Sequence, residues 1–237
     1  MRQNRFTLLY FILGCLFIFL DYLNSFIPSL IVKALLMPSL IYFYHTQIRG
    51  NYNNTHRLVM LGLGFAWIGD ISLFFANQSN TYLISPENML IVGFIAFLIT
   101  QVFYILAFSI PKGKHTILRS RIYQTMIAIA YGFILIWYLY RSMGDVKFPV
   151  ILYAIIIFLM LLSALNRYGK VNGVSYMLVV IGAIILVISD SMIAINKFQY
   201  KFDFAKTLIM ITYLTAQYFI VLGCIRQDII RNKIYGN

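Results

Sequence analysis

Charge is scarce in this chain: of 237 residues, 11% are Asp, Glu, Lys or Arg, and only seven are acidic. A soluble domain of this length carries about twice that charge. Cysteine is almost absent. Cys15 and Cys224 each sit in an apolar segment, which excludes a disulfide framework and reads as core packing. The three histidines, His45, His56 and His115, fall at segment ends and not beside the acids discussed below. That argues against a histidine-rich zinc site there, and no metal is assigned. There is no G-x-S-x-G, no phosphate-binding glycine loop and no H-E-x-x-H. No Gly/Ser linker or low-complexity tract divides the chain, and its loops are too short to hold a second domain.

What remains is apolar. Hydrophobic residues make up 61% of the chain, and the mean hydropathy is +0.82. They fall into eight blocks, about 6–20, 27–45, 57–77, 88–109, 118–140, 147–165, 172–195 and 204–225, most of them long enough to span a bilayer as helices. The first block is short, but no small-residue cleavage site follows it, so it is expected to persist as a helix. Membrane-spanning backbone must be helix or closed barrel, and these blocks lack the alternation of barrel strands. The expected fold is an all-α integral membrane protein, a single polytopic domain of eight transmembrane helices.

The net charge of +12 follows from topology and not from nucleic-acid binding. Eight helices put both termini on one side, with thirteen cations: Arg2, Arg5, Arg49, Arg57, Lys112, Lys114, Arg119, Arg121, Arg167, Lys170, Arg226, Arg231 and Lys233. The other side has five: Arg141, Lys147, Lys197, Lys201 and Lys206. The positive-inside rule therefore makes both termini cytoplasmic, in the plasma or inner membrane if the source is bacterial. The charge also suits contact with anionic membrane lipids.

Two acids stand inside apolar runs. "LGLGFAWIGD" (61–70) lies over "IGAIILVISD" (181–190), aligning Asp70 with Asp190 and Gly62 with Gly182. "IVKALL" (31–36) lies over "ILYAII" (151–156), which sets Lys33 opposite Tyr153. "FLITQVFYIL" (97–106) resembles "YLTAQYFIVL" (213–222), pairing Gln101 with Gln217. Three polar pairs and a glycine pair fall in one order, so the chain reads as two parallel four-helix repeats, about 1–115 and 116–237, related by an axis along the membrane normal. The two aspartates are then expected at equal depth, each roughly 8–10 Å from the non-cytoplasmic end of its helix. They would face a polar cavity open to that side. Gly69, Ser189 and Ser191 would leave room for a ligand, and Gly62 and Gly182 would let helices approach closely.

An intramembrane carboxyl costs about 2.5–3.5 kcal/mol to insert, which makes it a functional candidate. The bland alternative is that Lys33 neutralises one aspartate while serines and tyrosines bond the other. That explains one buried acid better than two in matched positions. Paired carboxyls of unlike protonation are what acid–base catalysis needs. The 38 Tyr and Phe residues are mostly lipid-facing or interfacial packing.

The segments "KALLMP" (33–38), "GD" (69–70), "GFIAFLITQVFY" (93–104), "YAIIIFLM" (153–160), "SDSMIAINKF" (189–198) and "YLTAQYFIVLG" (213–223) resemble the YhhN family of membrane proteins, the lysoplasmalogenase family, over essentially the whole chain. The resemblance implies hydrolysis of the vinyl-ether bond of lysoplasmalogens, giving a fatty aldehyde and a glycerophospho-ethanolamine or -choline. Two positions depart from the family pattern: Gln101 stands where a histidine is usual, and Ala34 where a proline is common. The chemistry suits the residues. Protonation of the vinyl carbon distal to oxygen gives an oxocarbenium ion, as in glycoside cleavage. A protonated aspartate can donate that proton, and an ionised one can stabilise the cation and activate water. Asp70 and Asp190 are the catalytic candidates, with the two roles unassigned between them. Lys33 is a candidate for the substrate phosphate or for tuning an aspartate. Gln101, Tyr104, Tyr153, Asn196, Tyr213 and Gln217 are candidate hydrogen-bond partners of substrate, and the scheme needs no cofactor. The rival readings are a proton-coupled transporter, which also carries mid-membrane acids, and a catalytically silent lipid-binding relative.

Overall fold

A computed structural model describes residues 3–48, 52–76, 85–110 and 122–235. Of the residues invoked for topology and metal binding, Arg2, Arg49, Lys112, Lys114, His115, Arg119 and Arg121 lie outside the described residues, as do the side chains of Arg231 and Lys233. The described residues form helices and no strands. The helices are α1 Gln3–Tyr22, α2 Phe26–Gln47, α3 Asn54–Ala76, α4 Pro86–Ser109, α5 Ile122–Leu139, α6 Lys147–Leu165, α7 Gly173–Phe198 and α8 Ala205–Tyr235. Each of the eight contains a stretch long and apolar enough to cross a membrane, and the chain is a multi-pass membrane protein. Large apolar side chains such as Phe133, Trp137 and Phe148 project outward, as expected of helices bathed in lipid. Helix α8 runs ten residues past the expected end at 225, and α7 three past 195. The extra turns hold polar residues that hydropathy alone cannot assign to helix or loop. Asn24 takes φ 53° in the turn after α1, a left-handed conformation that asparagine tolerates better than most residues.

The chain packs as two units, Met1–Tyr104 and Ile105–Asn237. In the first, α2 and α3 are antiparallel in one register. Tyr44 meets His56 (2.6 Å between Tyr44 Oη and His56 Nδ1), Trp67 Nε1 donates to Ala34 O (2.9 Å), and the Phe26 and Phe74 rings pack at 5.4 Å. Helix α1 joins α2 through the stacked rings of Phe6 and Phe43, 4.0 Å apart.

In the second unit α7 and α8 form the tightest pair. A Cβ at Gly182 would stand 2.9 Å from Ala216 O and from Ile220 Cγ1, so the expected close approach at this glycine is between helix backbones. Asn172 caps α7, accepting from Ser175 N at 2.8 Å, while its Nδ2 donates to Arg226 O at 3.3 Å. Arg167, counted above among the cations on the side of the termini, is wholly buried. It donates to Ser175 Oγ (3.0 Å) and Gln227 Oε1 (2.9 Å), and its guanidinium lies over the Phe108 ring. A cation read from sequence as topological is in fact a tie between the start of α7 and the late turns of α8.

Candidate functional site

Asp70 stands six residues before the end of α3, about 9 Å along the axis, and is 5% exposed. A carboxyl so buried needs polar company. Tyr10 of α1 and Tyr104 of α4 are both fully buried, and Tyr10 lies within electrostatic reach of Asp70 and of Tyr104. The Tyr104 ring has room to stand there because residue 62 is glycine: a Cβ on Gly62 would be 2.8 Å from Tyr104 Cε1. Thr100 Oγ1 ties α4 to α3 at the same level, within hydrogen-bond distance of both Ala96 O (3.0 Å) and Gly62 O (3.1 Å). Gln101, buried to 2% exposure, lies three residues before Tyr104 and so within a turn of it.

The Lys33 side chain, half-buried on α2, carries its ammonium over the rings of Phe17 (5.1 Å) and Phe74 (5.9 Å). Gly69 corrects one expectation. The space it leaves is taken by Phe97, whose Cε2 would lie 2.8 Å from an added Cβ, so the glycine serves helix packing and not a ligand.

In the second unit Asp190 stands eight residues before the end of α7, about 12 Å, deeper than expected because that helix runs on to Phe198. Its Oδ2 accepts a 2.7 Å hydrogen bond from the Tyr153 hydroxyl of α6. Tyr153, assigned from sequence to the substrate, thus has an aspartate as its partner. The serines flanking Asp190 are also engaged. Ser189 Oγ donates to Ile209 O (3.2 Å), and Ser191 Oγ donates to Val187 O (2.7 Å) while accepting from Tyr131 (3.1 Å). Both serines tie helices together, contrary to the expectation that they leave space for a ligand. Asn196 lies at the turn between α7 and α8, its Oδ1 accepting from Phe202 N at 3.4 Å. Tyr213 and Gln217 are buried one turn apart on α8.

Sequence reasoning missed Tyr10 and Tyr131. Each is a single hydroxyl in an apolar helix, and the aromatic abundance of the chain hides it. A usable signal was that an apolar span needing only bulk at these positions has no use for the hydroxyl. Two histidines among the described residues pair with tyrosines at the far end of α3: His56 with Tyr44, and His45 with Tyr52. His56 precedes Asp70 by 14 residues, about 21 Å of helix, which keeps it out of the aspartate's reach.

Tyr153→Phe removes the hydrogen bond to Asp190 and is expected to lower the thermal unfolding midpoint in detergent by about 2–4 °C, the worth of one such bond in a chain of this size.

Eight apolar helices, with Asp70 near Tyr10 in one unit and Asp190 bonded to Tyr153 in the other, define a polytopic membrane protein with a carboxyl in each helical unit. The profile of the YhhN family matches residues 29–224, and the chain belongs to that family. It is 27% identical over 161 residues to Lysoplasmalogenase TMEM86B of Mus musculus, covering 68% of this chain. It is 28% identical over 174 residues to Lysoplasmalogenase TMEM86A of Bos taurus, covering 71% of this chain. In both cases the match spans 65% of the relative's length. No solved structure matches the chain.

Proposed function

We propose that this chain is a membrane-embedded hydrolase that cleaves the vinyl-ether bond of lysoplasmalogens by acid–base catalysis through Asp70 and Asp190. Family membership and the names of the two relatives support the reaction class. The observation that carries the residue assignment is that each intramembrane carboxyl has a tyrosine beside it, Asp70 near Tyr10 and Asp190 bonded to Tyr153. Such surroundings let a carboxyl hold or release a proton within an apolar span.

One aspartate protonates the vinyl carbon distal to oxygen, and the resulting oxocarbenium ion is stabilised by the other, ionised carboxylate. That carboxylate takes a proton from the attacking water. The hemiacetal then collapses to a fatty aldehyde and the glycerophospho-alcohol, with no net change in protons. Lys33 supplies a cation for the substrate phosphate; Gln101, Tyr104, Tyr213 and Gln217 are hydrogen-bond partners for the substrate. The decisive experiment incubates purified protein with a lysoplasmalogen and measures aldehyde. Release above a no-protein control supports the hydrolase; a folded protein that releases none favours a lipid-binding relative.

The positive-inside count supports cytoplasmic termini. Cysteines introduced at Asn77 and Lys112, both outside the described residues, are expected to label from opposite faces with an impermeant thiol reagent in a background lacking Cys15 and Cys224. Labelling of the Asn77 position from the cytoplasmic face alone contradicts this orientation.

A further inference from the structure

Helix α2 carries a proline in its interior, Pro38. Proline has no N–H, so the carbonyl four residues earlier, that of Ala34, loses its helical donor, and the ring pushes that carbonyl outward. An unsatisfied carbonyl inside a membrane is costly, and neighbouring side chains usually take over the bond. Here the donor comes from the next helix: Trp67 Nε1 of α3 donates to Ala34 O at 2.9 Å. Trp67 is 39% exposed, so filling the core does not account for its place.

Trp67, Asp70 and Phe74 stand at i, i+3 and i+7 on α3, which puts them along one stripe of the helix. The turn of α2 at Lys33 and Ala34 touches that stripe at both ends. The Ala34 carbonyl meets Trp67, and the Lys33 ammonium reaches past the level of Asp70 to lie over Phe74, about 6 Å further along. The carboxyl lies between these two anchors. The turn that bears Lys33 is also the one that Pro38 deprives of its own hydrogen bond.

We propose that Trp67 is a positioning residue: its indole N–H replaces the bond that Pro38 withholds from Ala34 and so holds the Lys33 turn at a fixed level beside Asp70. The inference rests on the reading in which Asp70 and Lys33 serve vinyl-ether hydrolysis. It makes Pro38 and Trp67 a coupled pair. Restoring an N–H at residue 38 lets α2 satisfy Ala34 itself, after which the indole donor is redundant.

The test is a double-mutant cycle on the full chain in detergent, with Trp67→Phe, Pro38→Ala and the two combined. Trp67→Phe is expected to lower kcat/KM for lysoplasmalogen about tenfold, the effect of one lost hydrogen bond. Adding Pro38→Ala is expected to recover most of that loss. A Trp67→Phe protein with wild-type kcat/KM, or a loss that Pro38→Ala leaves in place, overturns the proposal. The same cycle is read by thermal unfolding, which needs no substrate. Trp67→Phe should lower the midpoint alone and much less in the Pro38→Ala background; additive shifts overturn the hydrogen-bond coupling. A wild type that releases no aldehyde while its unfolding cycle shows the coupling removes the proposed reaction but leaves the brace standing. If Trp67→Phe alone fails to fold, a folded double variant supports the coupling and an unfolded one refutes it.

Discussion

Replacing either Asp70 or Asp190 by asparagine is expected to abolish turnover while leaving the protein inserted and folded. Asparagine keeps the shape of aspartate and still accepts a hydrogen bond, so the Tyr153 hydroxyl that holds Asp190 retains a partner. What is lost is the ability to exchange a proton. General acid–base help is typically worth 10²–10⁴-fold, and the reaction needs a donor for carbon and an acceptor for water in succession. Each single replacement should therefore cost at least two orders of magnitude, and the double replacement little more, because residues acting as a unit are strongly non-additive. Packing makes folding robust to the change. Asp70 and Asp190 stand in long helices with large buried apolar faces, and replacing a carboxylate in an apolar span lessens a desolvation cost. Aldehyde release checks the first claim and thermal unfolding the second. A near-wild-type rate in either variant contradicts the two-carboxylate mechanism.

The helices were legible because a bilayer imposes a length and a composition on every crossing segment, so eight apolar blocks mark eight helices. Their ends were less so. The last turns of α7 hold Asn196 and Lys197, and hydropathy cannot tell a polar turn of helix from a polar loop. The two acids were legible for the same reason that they are costly: a carboxylate stands out against leucine and phenylalanine. Their partners were harder to read. Tyr153 was found through its register with Lys33 in the repeat, yet the aspartate as its partner emerges only once α6 and α7 are packed. Gly69, Ser189 and Ser191 looked like space for a ligand because small residues beside an acid suggest a cavity. In the structure Phe97, Ile209 and Tyr131 claim those positions. A small residue specifies a close neighbour, and sequence does not say whether the neighbour is a helix or a substrate.

Gln101 tests the proposed reaction from the opposite direction, by adding a function. The residue is buried on α4 within a turn of Tyr104, and Tyr104 and Asp70 both lie within electrostatic reach of Tyr10. A titratable group at position 101 would thus lie one side chain away from the Tyr10–Asp70 neighbourhood. Glutamine can orient a water or a substrate oxygen there, but it cannot carry a proton. Histidine can, with an ordinary pKa of about 6.5, and the family pattern usually places one at this position. Gln101→His is therefore expected to keep or raise turnover and to add an ionisation to the pH–rate profile that the wild type lacks. Even a partly used shuttle should be measurable, since proton transfer by a positioned group is worth 10²–10⁴-fold. The side chains are close in size, so a large loss of activity would mean that the glutamine amide itself holds substrate or water. An unchanged rate and an unchanged pH profile would place residue 101 outside the proton path. If wild type and variant both fold and neither releases aldehyde, the missing histidine is not what silences the chain, and lipid binding without turnover becomes the better account of its two intramembrane carboxyls.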